Sequence, residues 1–281
     1  MKHFFLAIIA TVMLSSCASE YNALWKLTDN SAKYEYAKQY FAEGKYGKAL
    51  SLLGDQLTIQ KGTENAQECL YMLGMSAFCD KDYESAAEYF KKYNSSYTRG
   101  DYSENAQFFQ GEALYRSTPE PRLDQSRTNS SINAFQNFLD IYHDSDLKPR
   151  AQERLLELHD KLVKKELHTA ELYYNLGSYF GNCTNGGSNY EAAVITAQNA
   201  IKDFPYTRLR EEFYLIIMKA KYHLARQSVA EKSEERFRDA EDECYGFINE
   251  FPDSENRALA EKYINVCKRY AKGEMTEDDL K

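Results

Sequence analysis

Proline and glycine are scarce, at 5 and 13 of 281 residues, so the chain has few of the residues that break helices or mark flexible and collagen-like sequence. Six cysteines are present, none in a C-x-x-C pair, which removes the usual zinc and thioredoxin-type motifs. G-x-G-x-x-G, P-loop and G-x-S-x-G signatures are missing too. Basic stripes are also absent from a chain of formal charge −8, which argues against nucleic-acid binding. After residue 16 no segment approaches the roughly 20 apolar residues that a membrane-spanning helix needs.

What is present begins with Lys2 and His3, followed by the predominantly apolar run Phe4–Leu14 and then Leu14-Ser15-Ser16-Cys17. A basic start and a short apolar stretch make a secretory signal. An aliphatic and two small residues before cysteine make a bacterial lipobox. Residues 1–16 are therefore expected to be removed, leaving Cys17 as the lipidation site, carrying palmitate-type acyl chains. Several such chains anchor stably, at about 0.8 kcal/mol per buried methylene. Residues 17–30 read as a lipid-anchored linker, 31–272 as the repeat domain and 273–281 as a polar tail. Ala18 rather than Asp follows the cysteine, and the linker has no acidic run. Both favour the periplasmic face of the outer membrane. Of the remaining cysteines, Cys69, Cys79, Cys183, Cys244 and Cys267, an odd number cannot all pair. Buried free thiols are the expected state, with a Cys244–Cys267 bridge as the alternative.

The interior repeats itself. Gly44-Lys45-Tyr46-Gly47-Lys48-Ala49 returns 37 residues later as Lys81-Asp82-Tyr83-Glu84-Ser85-Ala86. Tyr34, Tyr71 and Phe108 share that offset, as do Phe41, Phe78 and Tyr115, and as do Ala37, Gly74 and Gly111. A small residue at a helix crossing, a tight turn and a closely packing alanine form the pattern of a tetratricopeptide repeat. Two later copies run from Asn189 to Pro205 and from Phe237 to Pro252, with Thr207 or Ser254 expected to cap the helix that follows. The stretches Arg116–Ser131 and Gly181–Asn189 read as loops that lengthen the third and fourth turns. Period-2 alternation is not sustained anywhere. The expected fold is all-α, a tetratricopeptide-repeat solenoid of about five helix pairs plus a closing helix from about Asn256 to Ala271.

Together the signal, the lipobox and the array resemble the BamD family, lipoproteins of the outer-membrane β-barrel assembly machinery. The resemblance rests on "SEYNALWKLTD" behind Cys17, "KYEYAKQYFAEGKYGKALSLL", "CDKDYESAAEYFKKY", "LDQSRT", "KKELHTAELYY", "AIKDFPYT" and "EKSEERFRDAEDECYGFINEFPDSE". It implies a periplasmic scaffold that binds the barrel-forming subunit BamA, through the C-terminal repeats, and engages unfolded outer-membrane proteins. Thr196 stands near a position where many relatives have arginine, and His143 replaces a common proline, so no BamA contact is carried over at Thr196. The alternatives are a generic tetratricopeptide envelope lipoprotein and a sugar-uptake accessory lipoprotein.

No catalytic role, metal or cofactor is expected. His159 and His168 lie nine residues apart, about 180° opposed on a helix, so they form no local metal pair. The aromatic series offer a binding surface instead. Tyr34/Phe41, Tyr71/Phe78 and Phe108/Tyr115 each lie seven apart and share a helical face. They form either two rows along a peptide-binding groove or part of the core, the packing seam being supplied by Ala37, Tyr40, Gly74, Ala77, Gly111 and Leu114. The charged segment Glu231–Glu243 suits a polar protein–protein contact.

Overall fold

The computed structural model of the chain describes residues 24, 26, 28–177, 179 and 188–275, which contain eleven α-helices and no strand. The helices pack sequentially in pairs, as a tetratricopeptide-type solenoid requires. They divide into two compact units, one formed by residues up to Pro119 with Gln125–Leu158, the other by Glu120–Asp124 with residues from His159 on. Cys17 and Cys183 lie outside the described residues.

The first unit holds α1 (Asn30–Ala42), α2 (Tyr46–Ile59), α3 (Ala66–Cys79), α4 (Tyr83–Ser96), α5 (Ser103–Arg116), α6 (Ser126–Ile141) and the start of α7 (Lys148–Leu176). From α1 to α6 each helix packs on the next. Gly74 and Gly111 show why the repeat keeps a small residue. A β-carbon on Gly74 would stand 2.6 Å from the Phe90 ring, and one on Gly111 would stand 2.9 Å from Phe135. Both rings are fully buried and fill the space that the missing side chains leave. Each such ring contributes roughly 1.5–3 kcal/mol of hydrophobic stabilisation.

The tight turns repeat as closely as the helices. Gly44 has φ +73°, and the Lys45 N–H reaches back to the Tyr40 carbonyl at 2.8 Å. At the equivalent place Lys81 has φ +67°, and Asp82 N–H bonds the Ala77 carbonyl at 2.9 Å. This is a Schellman closure, in which a left-handed residue lets the last carbonyls of the helix find donors. Asp82 then caps α4 by accepting from Ser85 N–H at 3.1 Å.

The second unit contains the rest of α7, then α8 (Asn189–Asp203), α9 (Arg210–Arg226), α10 (Ala230–Glu250) and α11 (Arg257–Ala271). From α8 to α11 each packs on the next. One apolar cluster joins α7, α8 and α9, and a second joins α9, α10 and α11. Ser188 caps α8 through its Oγ, which accepts from Tyr190 N–H at 3.2 Å.

Two local expectations are corrected. Thr207 and Ser254 do not cap helices: their hydroxyls accept from Leu209 and Asn256 N–H two residues on, at 3.1 and 3.0 Å, within the preceding turn. Ser145 does the same for Leu147 at 3.0 Å. A hydroxyl can close a short turn on itself, and here that local bond wins. The loop expected over Arg116–Ser131 is also shorter, because α6 begins at Ser126. Ser131 is buried and donates to the Gly111 carbonyl at 3.0 Å, so its small size and hydroxyl both serve helix packing.

Candidate functional site

The six aromatic residues of the repeat face fall into two groups. Tyr34 and Phe108 are core residues. Tyr34 donates its hydroxyl to Glu68 at 2.8 Å, and burial together with that carboxylate raises its pKa. Phe108 packs edge-on against Phe135 and Phe138, with ring centroids 5.7 and 5.5 Å away. Neither ring has a free face for a ligand. Phe41, Tyr71, Phe78 and Tyr115 are half-buried. The row of Tyr34, Tyr71 and Phe108 is therefore buried at both of its ends, while all three members of the other row, Phe41, Phe78 and Tyr115, stay half-buried. On a helix Tyr34 stands only about 60° from the seam residue Ala37, so the stripe borders the packing face instead of opposing it.

Among the half-buried rings, Tyr71 stacks on Tyr102 at 4.5 Å and 10°, and burial pushes its phenol up to about 12. Phe78 meets Tyr83 at 5.5 Å and Phe109 at 5.2 Å, both edge-to-face. Phe41 rests edge-on against Tyr46 at 5.7 Å. These contacts hold the rings in place while leaving part of each accessible, an arrangement suited to weak apolar contact with an extended chain.

A second constellation sits beside Tyr115 in the same unit. Glu112, on α5, is fully buried, and three arginines converge on it. Arg116 Nε and Arg150 Nη2 each donate to Oε1 at 3.1 Å, and Arg154 Nε donates to Oε2 at 3.1 Å. Arg154 also pairs with Glu157 at 3.1 Å and lies over the Tyr115 ring at 4.5 Å from its centroid. Arg150 lies over Phe108 at 5.2 Å. The Tyr115 hydroxyl bonds Glu157, and burial, then that carboxylate, raises the phenol pKa. A carboxylate this buried is tolerated because several charged donors saturate it. Sequence reasoning missed the cluster. Its traces are Glu112/Arg116 and Arg150/Arg154, each four apart on a helix.

In the second unit, the charged segment of α10 turns Ser233, Phe237, Ala240, Cys244 and Phe247 inward and its charges outward. Arg236 pairs with Glu191 at 2.8 Å and Lys221 with Glu243 at 2.6 Å. Between α8, α9 and α10 lies a groove of about 400 Å³, with Val194, Ile195 and Leu224 among its apolar lining and Lys232, Glu235 and Asp239 among its charged residues. Ile195 is 57% exposed there.

Among the described residues the histidines do not come together in a metal cluster. His168 Nδ1 lies 3.2 Å from Glu171, and His159 meets the Phe204 ring. Among the described residues no group of three or more His, Cys, Asp or Glu is placed to hold a metal ion. Cys69, Cys79, Cys244 and Cys267 are free thiols. Burial pushes Cys69 up to about 11 and Cys244 and Cys267 up to about 12, and the last two share one apolar cluster. Among the described residues no helix is long and apolar enough to cross a membrane.

No curated protein matches the chain significantly. Residues 27–185, more than half of the sequence, match the family described as YfiO, outer membrane lipoprotein.

Proposed function

The chain belongs to the YfiO (BamD) family of outer-membrane lipoproteins, and from that membership we propose that it is a non-catalytic scaffold of β-barrel assembly. Cys17 carries the lipid that holds it to the periplasmic face of the outer membrane. Its first three helix pairs engage unfolded barrel proteins, and its last two bind the periplasmic domains of BamA. The observation that carries the reading is the family match across the first unit, where Phe41, Tyr71, Phe78 and Tyr115 present partly open rings. Outer-membrane strands alternate apolar residues and end in aromatic girdles, so half-open rings along an array suit them. The groove lined by Val194, Ile195 and Leu224 supports a protein contact in the second unit. It combines an apolar floor with charges of both signs, the composition of a non-obligate interface.

Photo-crosslinking in the intact lipoprotein tests both halves. A photoreactive residue at Phe78 should capture barrel-protein precursors, and one at Ile195 should capture BamA. Replacing Tyr71 and Phe78 together with Ala should weaken the first capture without weakening the second. Envelope extracts that yield neither BamA nor barrel proteins, or that yield a sugar-uptake porin instead, would overturn the assignment. Mass spectrometry of the N-terminal peptide should find acyl mass on Cys17.

A further inference from the structure

The charges around Glu112 do not balance. Three guanidiniums meet two carboxylates, and one of those, Glu157, touches only Arg154 among the arginines. Arg116 and Arg150 share a single oxygen, Oε1 of Glu112, so their bonding nitrogens stand within about 6 Å of each other. Each uses one N–H there, although a guanidinium carries five. Their side chains are 44% and 43% exposed, whereas that of Arg154 is 15% exposed and already engaged with both carboxylates. The cluster thus presents two adjacent, partly open guanidiniums with an unneutralised positive charge, in a chain whose overall charge is −8. Both are held from beneath by a carboxylate that cannot reach solvent, and Arg150 rests on the Phe108 ring. That fixes the pair without satisfying it.

We propose that Arg116 and Arg150 form a receptor for one carboxylate of a bound polypeptide. Guanidinium forks match carboxylates in planar geometry. A polypeptide is the favoured bearer because Arg154, which shares Glu112 with the pair, lies over the half-buried Tyr115 ring, and that ring gives the flanking residues of such a segment an apolar surface. The carboxylate is that of an acidic side chain or of a chain terminus. Which segment brings it does not depend on the β-barrel reading, since any acidic peptide suffices to reveal the site.

The test follows the Arg116 and Arg150 Nε–H resonances of the full chain by NMR during titration with three peptides and one ion. The probes are acetyl-Ser-Glu-Ser-amide, acetyl-Ser-Gln-Ser-amide, acetyl-Ser-Gln-Ser with a free terminus, and inorganic phosphate. A saturable shift with the Glu peptide or the free-terminus peptide, at least tenfold tighter than with the uncharged one, supports the receptor and identifies the source of the carboxylate. Arg150→Gln should abolish that preference as read at Arg116, and Arg150→Lys should restore it only in part, with thermal unfolding checking that both variants remain folded. Saturation by phosphate alone would mark a general oxyanion site and overturn the proposal. So would the absence of any saturable shift, which would leave the cluster a purely structural one.

Discussion

Replacing Glu112 with glutamine removes one charge and almost no volume, so it isolates what the buried carboxylate contributes. In the native chain Glu112 is fully buried and accepts from three guanidiniums at 3.1 Å. The bonds to Arg116 and Arg150 reach side chains almost half exposed and are screened, so each contributes about 0.2–1 kcal/mol. The bond to Arg154, 15% exposed, belongs to the stronger charged class at about 1.5–3 kcal/mol. Glutamine leaves three cations around one neutral amide, and removing one partner of a buried ion pair generally costs about 3–5 kcal/mol. We expect a loss of about 3 kcal/mol. That corresponds to roughly 6–12 °C in the unfolding temperature of a body of this size. Circular dichroism melts of Glu112→Gln and of Glu157→Gln supply the comparison. Glu157, 43% exposed, should cost under about 1 kcal/mol. A Glu112→Gln melt within 2 °C of the parent would refute the reasoning, and the cluster would then hold nothing in place.

Three further outcomes follow from local geometry and burial. Lys81 occupies the left-handed turn position that its repeat partner Gly44 fills with glycine, so Lys81→Gly should stabilise by about 0.5–1 kcal/mol in chemical denaturation, whereas Gly44→Ala should destabilise by a similar amount. Cys69, Cys244 and Cys267, buried and with thiols pushed up to about 11–12, should resist iodoacetamide in the folded chain at pH 8 and react after denaturation, as mapped by peptide mass spectrometry, while the half-buried Cys79 reacts first. His223 lies against Tyr190 and Tyr174, and burial, then Arg226 and Lys219, lowers its pKa below the ordinary 6.5. The unfolded chain then binds that proton more readily, so His223 contributes a loss of stability as pH falls below about 6.5, and His223→Gln should flatten the decline in urea midpoint between pH 7 and pH 5.

The sequence by itself determined the helix-pair architecture, because everything that specifies it is local and periodic. Gly74 and Gly111 recur at one offset, as the small residues that the repeat places at its helix crossings, and each admits a ring of the next helix. Gly44 and Lys81 mark the same turn, and Pro205 and Pro252 mark the ends of α8 and α10. Tertiary structure alone decided the surfaces. Periodicity assigns a residue to a face but does not say how far the next helix covers that face, so Tyr34 and Phe108 became core while Tyr71, at the equivalent register, stayed half open. The pairing of Glu112 with Arg150 and Arg154, 38 and 42 residues away, was likewise invisible in the chain. An ion pair between helices depends on their separation and on where long side chains end, and neither is written in the order of the residues.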